Sequence, residues 1–410
     1  MIRKLLTAAA LAAGISLSVS ADTAWMVLPR YSKSGRTLLH GIHNSGKRQE
    51  LLLRREEPKG GFRYLSIGMK NGFRFGGVNE RGVAAIFTGA GPMVDKNPAP
   101  SPENFTGRRA VVEILTRCAT AKDGEALLRA AADKKLIAGA LIVFVVDRNH
   151  AWAIECSPDN YVSWELPHAF CVYANLWKLP GMDASSASPV ERTLRNCQRE
   201  WAVRETLRRR IDAAGLISLP DSFAASRLNV NDLNGDGYAS ARSKTGKRKF
   251  DTAPYNKSSL DSYLIEVDPE FGDLSCIFVA YGPTRHTVYL PVPFGASDAM
   301  PPEIFGKEWI DGAFARRDAA KDADPVDPAL IAFENKLFAE FEKVRNEARW
   351  HFRQDRPEKA RELLRECLKR QAAETFAFLT GNGGGNKLPE KTSGQNQDKI
   401  NGISATGDKK

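Results

Sequence analysis

The sequence predicts an α+β fold in which antiparallel sheets pack in layers with helices. Two groups of strand-like segments are separated by helical segments, and a long helical region follows the second group. Short apolar runs joined by turn residues indicate hairpins, which make antiparallel strand pairs. Apolar residues spaced three and four apart indicate the helices.

The first group of strands precedes residue 90. Its first pair surrounds a Ser-Lys-Ser-Gly turn, and its second pair is joined at Asn71-Gly72, a strong hairpin signal. The predicted strands are residues 22–30, 36–43, 63–70, 73–77 and 83–87.

After this group, predicted helices and predicted strands alternate along the chain. Helical spacing predicts helices at residues 108–118, 123–132, 188–214 and 220–229, and a helical region at 327–379 divided near residues 355–357. Apolar runs between turns predict strands at residues 141–146, 151–156, 161–165, 169–174, 259–267, 274–281 and 285–291.

The first 21 residues are predicted to be a secretory signal peptide. Arg3 and Lys4 give a positive start, and small residues close the segment at Ala21. The apolar run between them has about 13 residues, whereas about 20 are needed to span a bilayer. We therefore expect a periplasmic or extracellular protein, not membrane-spanning, whose mature chain begins at Ala21 or Asp22.

The chain is basic without the pattern of a nucleic-acid-binding protein. Its formal charge is +10, and removal of Arg3 and Lys4 lowers Lys+Arg from 59 to 57 against 49 acids, a net charge of +8. The basic residues lie in local clusters without interleaved aromatics, which indicates a solvated surface rather than a nucleic-acid partner. The oligomeric state is left open.

Six cysteines follow the signal segment. Their even number and the export signal permit disulfides, but their spacing fits neither a small disulfide scaffold nor a zinc site. Most are expected to be small buried residues. Cys156 and Cys171 lie on neighbouring predicted strands and are the one candidate pair.

One segment matches the opening half of an EF-hand-type calcium loop. Asp232, Asn234 and Asp236 stand at alternate positions and are followed by Gly237. The twelfth position is Ser243, which supplies no bidentate carboxylate. The other interpretation is an Asx-rich surface turn. Calcium is the one cofactor that the sequence suggests.

Several motifs occur in an order that resembles a known family. They are GVNERGV at 77–83, DRNHAWAIE at 147–155, Asn175, the helix start at 188–195, SYLIEVDPEFGDLSCIFVAYGP at 262–283 and the helix pair around 334–373. Over most of residues 21–375 the chain resembles the cysteine branch of the N-terminal nucleophile (Ntn) hydrolases. That branch includes choloylglycine hydrolases, penicillin V acylases, acyl-coenzyme A:6-aminopenicillanate acyltransferases and dipeptidase A-type peptidases.

The resemblance implies a domain plan. It predicts a four-layer αββα sandwich with antiparallel sheets at residues 22–325 and a C-terminal helical extension at 326–380. A signal peptide at 1–21 precedes the sandwich, and composition predicts a disordered tail at 381–410. The implied activity is amide-bond hydrolysis, peptidase action or acyl transfer.

The catalytic positions that the resemblance implies have changed. In the family an N-terminal cysteine is the nucleophile, its α-amine is the base, and a cation and an aspartate position this terminus. Here the cysteine position is Ala21, the cation position is His43 and the aspartate position is Gly46. Asn175 remains as a candidate oxyanion donor, and Thr88 is nearest to a second one.

These changes predict an exported, catalytically impaired Ntn-hydrolase-like protein, a pseudoenzyme that binds an amide- or acyl-bearing small molecule. An alternative is an active amide hydrolase or peptidase that uses His43 as a base or Thr23 as a nucleophile. His43 is more simply a hydrogen-bonded structural residue. It stands three positions from His40 on a strand and faces the other way, which argues against a metal pair. A further alternative is a calcium-dependent surface-binding protein.

Overall fold

The computed structural model describes residues 22–44, 51–70, 74–166, 169–229, 253–255, 259–301, 304, 306–320 and 325–381. Some predicted features fall elsewhere in the chain. Ala21, Gly46, the Asn71-Gly72 turn and the calcium-loop residues Asp232, Asn234 and Asp236 lie outside the described residues.

Thirteen strands are described. In chain order they are β1 (Thr23–Val27), β2 (Thr37–Asn44), β3 (Leu51–Glu56), β4 (Tyr64–Met69), β5 (Arg74–Asn79), β6 (Ala84–Gly89), β7 (Leu141–Val146), β8 (Ala151–Cys156), β9 (Tyr161–Glu165), β10 (Phe170–Tyr173), β11 (Ser259–Val267), β12 (Cys276–Tyr281) and β13 (Leu290–Pro293). The described α-helices are α1 (Gly107–Arg117), α2 (Ala121–Asp133), α3 (Val190–Ala214), α4 (Leu219–Ser226), α5 (Lys307–Ala319), α6 (Pro328–Arg353) and α7 (Pro357–Thr380).

The strands form two antiparallel sheets. The first has the order β10-β1-β2-β11-β12-β13, and the second has the order β3-β4-β5-β6-β7-β8-β9. The second sheet is a meander, in which each strand pairs with the next one along the chain. The first sheet instead brings together strands from both ends of the sequence, and β1 lies inside it between β10 and β2.

The layers follow the order helix, sheet, sheet, helix. Strands β2 and β11 of the first sheet contact β6 and β5 of the second. Helices α1 and α2 cover the outer face of the second sheet with a separate apolar cluster that includes Ile114 and Val145. Helices α6 and α7 pack near β13 at the first sheet, and α3 packs on β10. The predicted α+β class, the αββα layers and the C-terminal helices are confirmed.

A ladder of ion pairs attaches α6 to the end of β11. Arg345 pairs with Glu266, and both side chains are fully buried. One helical turn later Arg349 pairs with Asp268, and after another turn Arg353 pairs with Glu270 at the surface. The arginines are four apart on α6, so they stand about 6 Å apart along one face of the helix, and they meet Glu266 on β11 and two acids in the turn that follows it.

Most predicted elements occur near their predicted bounds, with two omissions, one misplaced strand and one error in pairing. The strand predicted at residues 285–291 is instead β13, which begins only at Leu290. Strand β3 and helix α5 were not predicted. The candidate disulfide is wrong, because Cys156 lies on β8 of the second sheet and Cys171 lies on β10 of the first. All six cysteines are free thiols. No helix in the described part combines the length and apolar character needed to cross a bilayer.

Candidate functional site

A cavity opens between the two sheets, at the end of β2 and the start of β1. Its enclosed space is small, about 10 Å³, which is room for roughly one ordered water molecule. Its described lining residues are Asp22, Thr23, Ala24, Gly41, Ile42, His43, Phe75, Phe87, Thr88 and Tyr263. The sequence motifs thus bring His43 and Thr88 to one cavity, with Asp22 at its edge.

Three polar residues form a row across neighbouring strands of the first sheet. The register pairs Thr23 with Ile42, so Asp22 stands opposite His43, and His43 pairs in turn with Asp261. Residues directly opposed on antiparallel strands point to the same face. That face is the inner one, because the His43 ring packs on Phe75 of β5 with their centroids 4.0 Å apart.

His43 is a buried, neutral imidazole. Its side chain is 6% exposed, and its Nδ1 atom has no hydrogen-bond partner. Burial lowers the pKa of His43, and the nearby Asp22 carboxylate only partly opposes this. His43 therefore lacks the positive charge of the arginine or lysine that the resemblance would place there.

Asp261 is a second carboxyl group beside the cavity that the sequence motifs did not identify. It is fully buried, no side chain donates to its carboxyl oxygens, and the backbone N–H of His43 stabilises its charged form. Burial raises the pKa of Asp261 well above its usual range, and the negative charge of Asp22 raises it further. The fold thus favours the protonated form of Asp261.

A glycine lets Tyr263 reach the cavity wall. A Cβ atom on Gly41 would lie 2.6 Å from Cζ of the Tyr263 ring, closer than side chains approach one another. Burial raises the pKa of Tyr263, and the carboxyl groups of Asp261 and Asp22 raise it further. The phenol therefore stays protonated beside the two acids.

Asn175 lies next to this site, with its amide already engaged. Its backbone has a positive φ of 59°, and its Nδ2 atom donates to the carbonyl of Gly89 at 2.6 Å and contacts Thr88 Oγ1 at 3.4 Å. Its Oδ1 atom accepts from Arg199 at 2.8 Å. Asn175 is absent from the described cavity lining, so Thr88 is the member of this pair that faces the empty space.

Two buried charged residues position the segment around Asn175. Arg199 of α3 reaches the carbonyl oxygen of Asp22 at 3.5 Å as well as Asn175, which ties β1 to the loop after β10. Glu155 of β8 accepts from the backbone N–H of Lys178 at 2.9 Å. Burial raises the pKa of Glu155 to about 7, although its backbone hydrogen bonds oppose the rise. Sequence reasoning placed Glu155 in a motif and missed Arg199.

The described residues offer no activated nucleophile at the cavity. None of the described lining residues is a cysteine, and burial raises the pKa of every cysteine thiol in the chain. Thr23 supplies a hydroxyl, but its Oγ1 atom is buried without a hydrogen-bond partner. Its register partner is Ile42, so it is expected on the sheet face opposite to His43.

Metal binding has no support within the described ranges, where no group of three His, Cys, Asp or Glu side chains is arranged to hold an ion. The calcium loop lies outside those ranges and stays a prediction.

No protein-family model and no curated protein matches the chain. Among solved structures it is similar to penicillin V acylase from Agrobacterium tumefaciens, with 9% identity, a TM-score of 0.38, and coverage of 66% of this chain and 86% of that one. It is also similar to a variant of conjugated bile acid hydrolase from Clostridium perfringens, with 11% identity, a TM-score of 0.41, and coverage of 63% and 89%.

Proposed function

We propose that this chain is an exported protein with an amide-hydrolase-like fold, impaired in catalysis, whose cavity still binds a small amide- or acyl-bearing molecule. The observation that carries the proposal is the separation of the available hydroxyl from the available base. Thr23 and His43 both border the cavity, yet neither Thr23 Oγ1 nor His43 Nδ1 has a hydrogen-bond partner.

Acyl transfer by a side-chain nucleophile requires a base within hydrogen-bond reach of the attacking atom. In the described residues the cavity contains no such pair, and the resemblance places Ala21 where the family has its cysteine. An alanine methyl group has no lone pair with which to attack a carbonyl. The cavity itself remains, and it keeps buried polar atoms that a ligand could satisfy, as small-molecule sites do.

Export is part of the proposal because residues 1–21 have the composition of a cleavable signal. Cleavage after Ala21 would remove the former nucleophile position with the signal and leave Asp22 as the first residue. Mass spectrometry of the mature protein tests this directly. A mature chain that still carried residues 1–20 would contradict it.

The functional test combines turnover with binding. Mature protein with a verified N-terminus is incubated with penicillin V, conjugated bile salts and dipeptides, and we expect no hydrolysis above background. Thermal-shift measurements with the same compounds are expected to detect at least one ligand. Thr88→Met, which fills the cavity, should abolish that shift, whereas Ser101→Met at an exposed position should leave it unchanged.

Turnover that disappears in His43→Ala or Thr23→Ala would overturn the proposal in favour of an active hydrolase with substituted groups. Absence of both turnover and ligand-induced stabilisation would overturn the binding role.

Restoration of the thiol alone is expected to recover little activity. In Ala21→Cys the terminus would still lack the aspartate replaced by Gly46 and the fixed charge replaced by His43. Misplacement of a reacting group by about 1 Å can cost roughly a hundredfold in rate. The triple variant Ala21→Cys, His43→Arg, Gly46→Asp should hydrolyse amides faster than the single variant, measured as steady-state turnover after the N-terminus is verified.

A further inference from the structure

The outward face of helix α3 begins with an apolar stripe. Val190, Leu194, Cys197 and Trp201 follow one another at steps of three and four residues, which places them in one line along the helix. Val190 is 76% exposed, Leu194 is 57% exposed, and Cys197 is the exposed one of the six cysteines. We call these four residues the α3 stripe. An exposed apolar stripe of this kind marks a contact surface.

The same line continues beyond Trp201 with charged residues. Arg208 pairs with Glu205 at 2.7 Å and also with Asp212, so this half has the ion-paired surface of a solvated helix. Both halves point away from the buried face of the helix. Exposure to water therefore accounts for the charged half and leaves the apolar half in need of a partner.

A neighbouring loop adds to the apolar surface. Val94 is 60% exposed, and its backbone N–H donates to the carbonyl of Ser185 at 3.0 Å, shortly before α3 begins. Six large apolar side chains are exposed in the described part of the chain, and three of them, Val94, Val190 and Leu194, lie at or beside the start of α3. The exposed apolar surface is thus concentrated at one end of this helix.

We propose that a second copy of this chain covers the α3 stripe, as a two-fold symmetric pair of antiparallel α3 helices. Two-fold contacts, in which the same surface meets itself, are the commonest between identical subunits. The inference goes beyond the proposed function and does not depend on the cavity, so either can fail without the other.

The stripe is complementary to itself when the two-fold axis crosses it beside Leu194. Residues equally far from the axis on opposite sides then face each other. Leu194 meets its own copy, and Val190 meets Cys197 of the partner subunit. On the flank of the stripe, Glu191 meets Arg195 of the partner subunit, and the reverse contact follows by symmetry. Within the single helix these two residues already pair at 3.2 Å, so their charges are close enough to exchange partners.

The change of character along the helix favours the antiparallel direction. A parallel pair would bring Arg208 against Arg208 of the partner subunit, and like charges in contact repel each other. In the antiparallel pair Cys197 is level with the start of the partner helix. The charged half beyond Trp201 then extends past that start and stays in water.

The charges around the stripe favour a second copy over a membrane. Attraction to an anionic lipid surface requires basic residues whose charge is not neutralised. Here Arg195 pairs with Glu191, and Arg204 pairs with Glu200. A balanced rim of both signs instead suits a surface that meets its own copy.

The first test measures self-association. Sedimentation velocity of the full chain over a wide range of protein concentration is expected to show a reversible monomer–dimer equilibrium. Leu194→Arg should weaken the dimer at least tenfold, because it places two like charges beside the axis. Leu216→Arg, a matched change at an exposed leucine that follows α3, should leave the dimer unchanged.

Cys197 reports the geometry of the pair. The two copies of Cys197 are separated by seven helical steps along the helix axes, about 10 Å. A bismaleimide of about this span is expected to link the two chains, and Cys197→Ser should remove the link. Leu194→Arg should remove it as well, because the chains then no longer pair.

The flanking charges separate contacts between subunits from contacts within one helix. Glu191→Arg and Arg195→Glu should each weaken the dimer several-fold, because each places like charges across the axis. A mixture of the two single variants should pair as well as the wild type, since every contact across the axis then joins opposite charges. Within each helix of that mixed dimer the pair stays broken, so the recovery depends on contacts between the subunits.

Four results would overturn the inference. One is a chain that stays monomeric at every concentration. Another is a dimer that survives Leu194→Arg without a Cys197 link, which would assign pairing to a different face. A monomer in which Cys197 resists maleimide would mean that the same chain covers the stripe. Binding to anionic vesicles that Leu194→Arg abolishes, without a dimer, would replace the second copy with a membrane surface.

Discussion

The two histidines of strand β2 stand three residues apart and have opposite environments. His40 Nδ1 contacts Ser222 Oγ at 2.9 Å, its Nε2 contacts Ser262 Oγ at 2.6 Å, and its ring stacks on Trp25 with centroids 4.0 Å apart. His43 faces the cavity, and its Nδ1 has no partner. His40 therefore belongs to the scaffold and His43 to the candidate site, because a buried imidazole whose two nitrogens both have partners cannot also bind a ligand.

The side of the sheet that carries His40 continues as a cluster of satisfied polar groups. Tyr289 bonds Ser226 at 2.6 Å, and Arg227 forms a buried two-point ion pair with Glu334 of α6. We call these residues, with His40, Ser222 and Ser262, the outer cluster. Every atom of its imidazole and carboxylate groups has a partner, whereas the cavity side has several without one. The outer cluster therefore stabilises the fold, and the cavity side is available for binding.

The largest expected effect is on the outer cluster. Glu334→Gln removes the countercharge of fully buried Arg227, and loss of one partner of a buried ion pair costs about 3–5 kcal/mol. Urea-induced unfolding should show this loss. Lys336→Gln, which breaks an exposed pair between α6 and Glu374 of α7, should change little. A loss below about 1 kcal/mol for Glu334→Gln would mean that Arg227 does not depend on this carboxylate.

The next test replaces each of the two histidines with leucine, in separate variants. His40→Leu removes two buried hydrogen bonds, to Ser222 and to Ser262, and should cost about 2–3 kcal/mol of unfolding free energy. The two hydroxyls keep only Trp25 Nε1 and the Gly41 carbonyl oxygen as partners. His43→Leu removes an imidazole with an unpaired Nδ1 and should change stability by less than about 1 kcal/mol. It should also weaken ligand binding. If His43→Leu proves the more destabilising of the two, the contrast between the two sides is wrong.

Asp261→Asn is expected to stabilise the fold, by less than the two histidine variants change it. The folded protein raises the pKa of Asp261, so the unfolded chain loses this proton first as pH rises above the ordinary value of 3.8. Asp261 therefore destabilises the fold increasingly from that pH up to its raised pKa, and asparagine removes this penalty. The variant should melt higher than the wild type at pH 7.5 and alike at pH 3.5. A lower melting temperature at pH 7.5 would show that the carboxylate has a partner in the folded protein.

The smallest expected effect is a change in how far stability declines as the pH falls. The folded protein lowers the pKa of His40 and of His43, so the unfolded chain binds these protons first as pH falls below 6.5. Stability is complete above that pH and declines between it and the lowered pKa values. His43→Leu should flatten part of this decline in unfolding experiments between pH 7 and pH 5. Identical slopes for the variant and the wild type would assign the decline to other groups.

Local pattern was enough to predict the strands with continuous apolar runs. Strands β7, β8 and β9 occur at their predicted bounds because their composition and the turns between them are local signals. Strand β3 was missed because its sequence, LLLRRE, ends in charged residues that suit a sheet edge and read as a loop. Helix α5 was missed because its apolar residues do not gather on one face.

The candidate site was predictable only where a motif carried it. His43, Thr88 and Asn175 were identified through the family resemblance, and the structure brings the first two to one cavity. Asp261 was missed, although one acid inside the apolar run SLDSYLIEV was a usable signal. Its burial depends on the pairing of β11 with β2, more than 200 residues away in the sequence, and no local pattern reports that register. Arg199 was missed because its contact with Asp22 also joins two segments that are far apart in the sequence.

The ion pairs between α6 and the end of β11 fix the position of the helix along the sheet. The chain turns after Val267, and this turn places Asp268 and Glu270 beside the next two arginines of α6. A slide of α6 by one turn would bring Phe341 opposite Glu266 and leave Arg36 as the remaining partner of that fully buried carboxylate. The two inner rungs penalise slippage, because Glu266 and Asp268 are both buried, whereas the acid at the outer end, Glu270, is partly exposed to water. Two buried acids thus set the docking position of a helix of 26 residues.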